Sequence, residues 1–298
     1  MQVNETIRRI SYSPRIGRYV QRLGLRRFLQ GLYAFLWQND GLLKLNLNGV
    51  EALFSAQTPV ELRCVEGTWF TEREMLGAVQ EHLNAGDTFL DVGSNLGIFT
   101  IFAAKTVGAQ GIVIACEPET NAHDRLQKNI EINQLNNVKP LKLALSDRRS
   151  MKKLSLGDAW GVPQSAHLSD ADGPYEDVHT ADYDSLVTNE SMPIPRVVKM
   201  DIEGHEYVAL QGMRETLSSP LCVALFCEVH PSALPEGIST EDVSALIKSF
   251  GFESISTKKR SDQFQLIAIK CLTGSTVEKG HEAGLNVSVR TRHPGTSA

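Results

Sequence analysis

Short apolar, β-branched runs alternate with amphipathic stretches along the chain from residue 86 onward. This alternation is typical of βαβ units, in which helices connect parallel strands and cover the sheet. It predicts strands at 88–92, 111–116, 138–145, 196–202 and 221–229, and helices at 98–107, 121–133, 205–217 and 240–249. The last two runs, 252–257 and 263–270, are too close for a crossover helix, so we expect them to pair antiparallel. The pattern therefore predicts an α/β protein.

The alternation of strands and helices is interrupted by one insertion, and further segments precede and follow it. Residues 148–195 are polar and rich in glycine and proline, which favours a hairpin or a lid-like insertion. Asn48-Gly49 between two apolar runs predicts a β-hairpin, and Thr71-Glu72-Arg73-Glu74 fits a capping box that opens a helix through Leu83. We divide the chain into a basic helical segment plus hairpin at 1–59, a main domain at 60–271 and a disordered tail at 272–298.

The composition excludes several classes of protein. With 42% hydrophobic and 22% charged residues, the chain is typical of soluble globular proteins and not of disordered or collagen-like ones. Its five cysteines form no CxxC pair, which disfavours a zinc ribbon or a disulfide framework and favours a reducing compartment. The sequence has no apolar run of about 18 residues and no signal-peptide core, so we expect a cytoplasmic protein.

Charge is distributed unevenly along the chain. The formal net charge is -5, yet residues 1–30 hold seven arginines and one acidic residue, while the remainder holds 23 basic and 34 acidic residues. The arginines alternate with apolar residues, which fits either an amphipathic helix in peripheral contact with an anionic membrane or a helix packed on the main domain. We favour packing; a transit peptide is disfavoured because no cleavage signal follows. We expect no nucleic-acid partner, and the sequence leaves the oligomeric state open.

The segment with the strongest chemical signature joins the first strand of the alternation to its helix. It reads Asp91-Val92-Gly93-Ser94-Asn95-Leu96-Gly97. The two glycines allow a sharp turn and a close approach to a ligand, and the next helix offers free N–H groups to an anionic group. Doubly wound sheets bind nucleotides at this junction. Because D-x-G-x-x-x-G differs from the dinucleotide pattern G-x-G-x-x-G, we expect Asp91, Gly93, Ser94, Asn95 and Gly97 to bind a cofactor without a pyrophosphate.

Acidic residues follow the next two strands. Glu117-Pro118 comes 26 residues after Asp91, where a carboxylate can accept hydrogen bonds from both ribose hydroxyls. Ser146-Asp147 ends the third strand, where a carboxylate can accept from an adenine amino group. Glu117 also fits a helix-start acid stabilised by the helix dipole. Three such features after three successive strands nevertheless predict a nucleoside-binding site.

In these features the chain resembles class I S-adenosylmethionine-dependent methyltransferases. The segment Val198-Lys199-Met200-Asp201-Ile202-Glu203-Gly204-His205-Glu206 is similar to the (I/V)-K-x-D-(V/I)-E-G-x-E hallmark of the FkbM family. Residues 180–186 resemble its T-L-D-x-L segment with the spacing changed by one residue, and Glu228-Val229-His230-Pro231 is similar to its E-x-H-P ending of the fifth strand. The resemblance covers roughly residues 60–270.

The resemblance implies a Rossmann-like fold: a seven-stranded, mostly parallel sheet with a reversed last strand and helices on both faces. It implies S-adenosylmethionine as cofactor and a hydroxyl of a sugar, a polyketide or a related small metabolite as methyl acceptor. Two alternatives are kept. An NAD-dependent oxidoreductase is disfavoured by the missing third glycine and the lack of a Tyr-x-x-x-Lys pair, and a non-catalytic nucleotide-binding protein is disfavoured by the intact motifs.

Methyl transfer to a hydroxyl requires alignment of the reactants and benefits from a base. Lys199 and Asp201 on the fourth strand share one face, roughly 6.5 Å apart, and a buried lysine needs an acidic or ligand partner. The catalytic candidates are Lys199, Asp201, Glu203, Glu228 and His230, of which the histidine titrates near neutrality. The acids also fit capping or helix-start roles.

A metal ion and the acceptor are the remaining parts of the predicted site. Carboxylates at these strand ends suit Mg²⁺, but no histidine pair has a zinc spacing, and we expect no metal. The acceptor is expected to contact the N-terminal segment and the insertion at 148–195. Aromatic residues of the insertion that suit a sugar are Trp160, His167 and Tyr175.

Overall fold

A computed structural model describes residues 41–57, 59–156, 167–168, 174–260 and 263–270. The basic segment at 1–30, the tail at 272–298 and Trp160 lie outside these residues. The expectations for them, including the membrane contact and the division of the chain at residue 59, therefore stay predictions.

The described chain opens with the predicted β-hairpin. Strands β1 (Leu42–Leu47) and β2 (Val50–Ser55) pair antiparallel, and φ is 52° at Asn48 and 85° at Gly49. Positive φ at both positions is what a tight two-residue hairpin turn requires. The leucines of β1 are buried in alternation with exposed polar residues, so one face of the hairpin packs into the protein core.

Helix α1 (Pro59–Glu81) follows the hairpin and begins earlier than predicted. The capping box predicted at Thr71 is wrong, because Thr71 lies within the helix and its hydroxyl donates to the Gly67 carbonyl oxygen at 3.0 Å. A threonine within a helix commonly bonds in this way. The upstream half of the helix is held by burial of its apolar side chains Leu62, Val65 and Trp69.

The rest of the chain alternates strands and helices. The strands are β3 (Thr88–Val92), β4 (Ile112–Cys116), β5 (Val138–Leu141), β6 (Ala144–Leu145), β7 (Ser150–Ser155), β8 (His167–Leu168), β9 (Tyr175–Ala181), β10 (Val197–Met200), β11 (Ala224–Val229), β12 (Ser254–Arg260) and β13 (Gln263–Ile269). The helices are α2 (Ile98–Val107), α3 (Thr120–Ile132), α4 (Tyr183–Glu190), α5 (Glu206–Gln211), α6 (Arg214–Ser218) and α7 (Thr240–Ser249).

A seven-stranded sheet in the order β12-β13-β11-β10-β3-β4-β5 forms the centre of the fold. β13 runs antiparallel to β11 and β12, whereas β11, β10, β3, β4 and β5 are parallel. This confirms the predicted mostly parallel sheet with a reversed last strand. The strand order reverses at β3, between β10 and β4. Sheets of this kind bind ligands at the carboxyl ends of the strands next to such a reversal.

The predicted strand at 138–145 is divided between two sheets, which corrects the sequence interpretation. β5 is an edge strand, where Pro140 is tolerated although it cannot donate a hydrogen bond. The chain then turns, with the Leu143 N–H bonded to the Leu141 carbonyl at 3.0 Å, and β6 joins a second sheet of order β6-β9-β7-β8. Residues of the 148–195 insertion form the antiparallel pair β7 and β9, as its hairpin interpretation predicts.

The predicted helix at 205–217 is instead the two short helices α5 and α6. The Asp184 carboxylate, in α4, accepts hydrogen bonds from the N–H groups of Glu215 and Thr216, both at 2.8 Å. Satisfying free N–H groups in the first turn stabilises a helix start. Because the capping group lies in another helix, the local sequence does not reveal this second start.

Apolar clusters cover both faces of the central sheet. One contains residues of the hairpin and of α1, α2 and α3, and the other contains residues of α4, α5, α6 and α7. Successive residues of β3 alternate between them, with Phe89 in the first and Leu90 in the second. The predicted helices on both faces are thus confirmed. Among the described residues, no helix combines the length and the apolar character that crossing a membrane requires.

Candidate active site

A cleft with a volume of about 370 Å³ opens at the carboxyl ends of β3, β4, β10 and β11. The helices that follow β3 and β10 cover opposite faces of the sheet, which leaves room for a ligand at the strand ends beside the reversal of strand order. Its lining includes the predicted residues Gly93, Ser94, Asn95, Glu117, Pro118, Lys199, Asp201, Glu203 and Glu228. It also includes residues that the sequence did not indicate as binding or catalytic residues, namely Gly67, Thr68, Thr71, Glu72, Leu96, Phe99, Leu143, Ala144, Leu145, Leu154, Leu168, His205 and Gln263.

The loop after β3 lies very close to the backbone after β10. Gly93 has φ 75°, and a Cβ atom added there would lie 2.0 Å from the Asp201 carbonyl oxygen. Only glycine fits a position that combines this φ with this proximity. Ser94 Oγ and Asn95 Oδ1 are buried beside the cleft and have no hydrogen-bond partner among the described residues. Buried polar atoms are normally paired, so the loop fits a polar ligand.

The Glu117 carboxylate connects the loops after β3 and β4 by hydrogen bonds. One carboxylate oxygen accepts from the Asn95 N–H at 2.8 Å and the other from the Glu119 N–H at 2.9 Å. Each oxygen can accept a further hydrogen bond, so the carboxylate is oriented for a ligand with two hydroxyl donors. Burial raises the pKa of Glu117 to about 7, although these two backbone hydrogen bonds favour the ionised form.

A buried ion pair lies beneath the same loop. Lys199 Nζ is 3.4 Å from Asp91 Oδ1 and donates to the Gly93 carbonyl oxygen at 2.7 Å. The two residues occupy paired positions on the neighbouring strands β10 and β3, and both side chains are almost fully buried. The other Asp91 oxygen accepts from the Thr100 hydroxyl at 2.6 Å. Burial alone would lower the pKa of Lys199, but the charges of Asp91 and Asp201 raise it above its ordinary value.

Carboxylates and a histidine meet at the ends of β10 and β11. His230 Nε2 is 3.7 Å from Asp201 Oδ1 and 3.4 Å from Glu203 Oε2, and His230 Nδ1 bonds to Glu206 Oε1 at 2.9 Å. Burial raises the pKa of Glu203 to about 7. Burial lowers the pKa of His230, but the hydrogen bond and charge of Glu206, together with the charges of Asp201 and Glu203, raise it to about 9.

Sequence reasoning missed the importance of Glu206. Its side chain is completely buried, and besides bonding His230 it accepts from the Gly204 N–H at 2.9 Å. Its place in the sequence indicates only an acid favoured by the helix dipole. The signal available in the sequence is its position as the last acid of the D-x-E-G-x-E segment, since an exposed helix-start acid needs no fixed spacing to other acids.

Several residues predicted to contact the cofactor or the acceptor do not line the cleft: Asp91, Gly97, Ser146, Asp147 and His230. Ser146 Oγ instead bonds to His205 Nε2 at 3.0 Å, and burial lowers the pKa of His205 to about 4. The His205 ring therefore contacts Ser146 and lines the cleft. Tyr175 also lies outside the lining, half exposed, with Lys153 Nζ 4.2 Å from its ring centroid.

Comparison with known proteins places the chain in a family. The family model described as "Methyltransferase FkbM domain" matches residues 91–254. A relative from Haloferax volcanii, named hexuronic acid methyltransferase AglP, is 28% identical over 220 residues, which cover 73% of this chain and 84% of the relative. The chain belongs to the FkbM methyltransferase family.

Two solved structures illustrate how far this likeness extends. The FkbM methyltransferase from Methylobacillus flagellatus has 16% identity and a TM-score of 0.44, with 69% of this chain and 53% of that chain covered. M. jannaschii TYW2 in complex with AdoMet has 16% identity and a TM-score of 0.41, with 78% of this chain and 86% of that chain covered. At these scores the two structures carry no argument about the site.

Family membership defines the class of enzyme. The chain is a methyltransferase that uses S-adenosylmethionine, as the sequence predicted. The two alternatives, a nicotinamide-dependent oxidoreductase and a non-catalytic nucleotide-binding protein, are thereby set aside. The identity of the residues that bind the cofactor and the acceptor remains a proposal.

Proposed function

We propose that the protein transfers a methyl group from S-adenosylmethionine to a hydroxyl oxygen of a sugar. The observation that carries this proposal is the cluster of Asp201, Glu203 and His230 at the carboxyl ends of β10 and β11, beside the cleft. Such a cluster suits an acceptor that must lose a proton on reaction. The name of the Haloferax volcanii relative, a hexuronic acid methyltransferase, supports a sugar as the acceptor.

The described residues fit the cofactor at three places. We propose that the Glu117 carboxylate accepts from both ribose hydroxyls, because its two oxygens are already oriented by backbone N–H groups. The unpartnered Ser94 and Asn95 side chains would take polar atoms of the methionine part. The adenine ring would lie on the apolar strip Leu143, Ala144 and Leu145, which lines the cleft.

The cleft also suits the charge of this cofactor and the chemistry of transfer. When bound, S-adenosylmethionine supplies an activated methyl group on a positively charged sulfur. Acidic residues line the cleft, including Glu72, Glu117 and Glu228, and they favour a cation there. Lys199 holds the Gly93 carbonyl and thereby fixes the loop that positions the cofactor, so we assign it a positioning role. The strand-end cluster would receive the acceptor's proton.

The affinity for S-adenosylhomocysteine is expected to fall as the pH falls below about 7. Ribose hydroxyls donate to the ionised Glu117, so binding below its raised pKa requires loss of a proton, and the affinity approaches a tenfold decrease per pH unit. Above the pKa this dependence disappears. Calorimetric titration on both sides of neutrality measures it, and the isosteric Glu117→Gln variant should bind weakly with no such change. An unchanged pH dependence in that variant would contradict the role of Glu117.

Transfer of label from tritiated S-adenosylmethionine to sugars tests the proposed function. We offer three acceptor types, each within a glycan: a neutral hexose, a hexosamine and a hexuronic acid. We expect label in one of them, and fragmentation of the product by mass spectrometry should place the methyl group on oxygen. The Glu203→Gln variant should lower the rate by about 10²-fold or more, the range expected when proton removal is impaired. Label on nitrogen or carbon, or label in non-sugar metabolites with every sugar inactive, would refute the proposal.

A further inference from the structure

The strand-end cluster has an arrangement that hydrogen bonding does not explain. Asp201, Glu203 and His230 each present one ligand atom, and these atoms all lie within 4.8 Å of one another. The distances from His230 Nε2 to the two carboxylate oxygens are 3.7 Å and 3.4 Å. Both exceed the usual N–H···O distance of about 2.7–3.2 Å. The ligand atoms of the three groups therefore lie close together without hydrogen bonds between His230 and the two carboxylates.

The histidine supplies a second, independent observation. His230 is only 6% exposed, and its Nε2 has no hydrogen-bond partner among the described residues. A buried nitrogen without a hydrogen bond, 3.4–3.7 Å from two carboxylate oxygens, fits a position that a shared ligand can take. With metal–ligand bonds of about 2.0–2.1 Å in an octahedral site, ligand atoms lie about 3.0–4.2 Å apart. The two separations measured from His230 Nε2, 3.7 Å and 3.4 Å, are in this range, and all three ligand atoms lie within 4.8 Å of one another.

The surroundings of the cluster match those of metal-binding histidines. His230 Nδ1 bonds to the fully buried Glu206, which fixes the ring so that Nε2 points at Asp201 and Glu203. A carboxylate behind the other ring nitrogen is the usual support of a metal-bound histidine. The side chains of Asp201 and Glu203 are 30% and 33% exposed, so water or an acceptor oxygen can reach the same point.

We propose that Asp201, Glu203 and His230 bind a divalent cation of the Mg²⁺ or Mn²⁺ type. Two carboxylates and one imidazole suit such an ion, and the partly exposed carboxylates leave coordination positions for oxygen ligands from the cleft. The cation would take the acceptor's hydroxyl oxygen as one of these ligands and lower the pKa of that hydroxyl, and the proton would pass to a carboxylate oxygen of Asp201 or Glu203 that does not bind the ion, or to water. This use of the ion rests on the proposed function, whereas the binding of the ion does not.

Electron paramagnetic resonance of the full chain titrated with Mn²⁺ tests the site without any methyl acceptor. We expect one bound ion per chain and a nitrogen coupling in the pulsed spectrum that disappears in the His230→Gln variant. The isosteric Asp201→Asn and Glu203→Gln variants replace side chains that are about one third exposed, so they should fold, and each should weaken Mn²⁺ binding about tenfold or more. The control Glu190→Gln changes a surface acid paired with Arg149 and should bind like the unmodified protein.

The outcomes separate this proposal from the proposed function. Absence of bound Mn²⁺ at about 1 mM, where even weak protein sites fill, would overturn the metal site, as would binding unchanged in Asp201→Asn and Glu203→Gln. In either case a protonated His230 paired with the two carboxylates would account for the cluster. Mn²⁺ bound as described, with no sugar methylated, would support the site and count against sugar methylation. Sugar methylation that chelators do not affect, in a protein that binds no Mn²⁺, would support sugar methylation and overturn the metal site.

Discussion

The Lys199→Met variant is expected to lose about 3–5 kcal/mol of the free energy of unfolding, because it leaves a buried charge without its partner. Asp91 is completely buried and Lys199 Nζ is 3.4 Å from one of its oxygens. Methionine has nearly the volume of the lysine stem, so packing contributes little to the loss. The same change removes the hydrogen bond to the Gly93 carbonyl, so the cofactor affinity should also fall. Urea denaturation without and with S-adenosylhomocysteine measures both effects.

The double variant Asp91→Asn/Lys199→Met is the matched control for this prediction. Asparagine keeps an acceptor for the Thr100 hydroxyl but carries no charge, so the double variant should be more stable than Lys199→Met alone. The cofactor affinity should stay low, since the hydrogen bond to Gly93 remains absent. Additive losses from the two single variants, or a loss below about 1 kcal/mol in Lys199→Met, would show that Asp91 and Lys199 are not a coupled ion pair.

The Gly93→Ala variant is expected to lose about 10²-fold in affinity for S-adenosylhomocysteine, comparable to the effect of displacing a positioned group by about 1 Å. The added Cβ would lie 2.0 Å from the Asp201 carbonyl oxygen, so the loop after β3 and the segment after β10 must separate. That separation moves Ser94 and Asn95 away from the cleft positions they now hold. Calorimetric titration measures the affinity, and thermal denaturation measures the accompanying loss of stability.

Gly86→Ala is a control in which alanine also takes a positive φ, but the added Cβ contacts no other atom. Gly86 has φ 87°, close to the 75° of Gly93, but no atom lies within 4 Å of the Cβ position. Alanine there should cost about 1–2 kcal/mol of stability and leave the cofactor affinity unchanged. If both variants lost the same stability and kept full affinity, the close approach of the two loops would have no role in binding.

The fold was predictable where local pattern and tertiary structure agree. The predicted helices 98–107 and 240–249 coincide with α2 and α7, and α7 has its own capping box between Ser239 and Asp242. The predicted helix boundaries were wrong where residues outside the local sequence pattern determine where a helix begins. Burial of Leu62 and Val65 fixes the start of α1, and the Asp184 carboxylate fixes the start of α6. Neither effect leaves a signal in the residues next to the boundary.

The residues that gather at the candidate site were predictable where the strand pattern alone brings them together. Parallel strands bring their carboxyl ends to one edge, so polar residues at those ends, such as Glu117 and Asp201, were expected to meet. Contacts that depend on side-chain partners were not visible. Asp91 was expected in the cofactor site, but the sheet register places it opposite Lys199 beneath the loop. The approach of His230 to Asp201 and Glu203 was not predicted, because these residues follow two different strands and no fixed spacing in the sequence relates them.

The structure of the protein with S-adenosylhomocysteine bound tests the central claim most directly. The ligand is predicted to lie in the cleft at the ends of β3 and β4, with both ribose hydroxyls at hydrogen-bond distance, about 2.7 Å, from the Glu117 carboxylate. Its sulfur should face Asp201 and Glu203. A ligand bound elsewhere, or a ribose that does not contact Glu117, would contradict the proposed cofactor site.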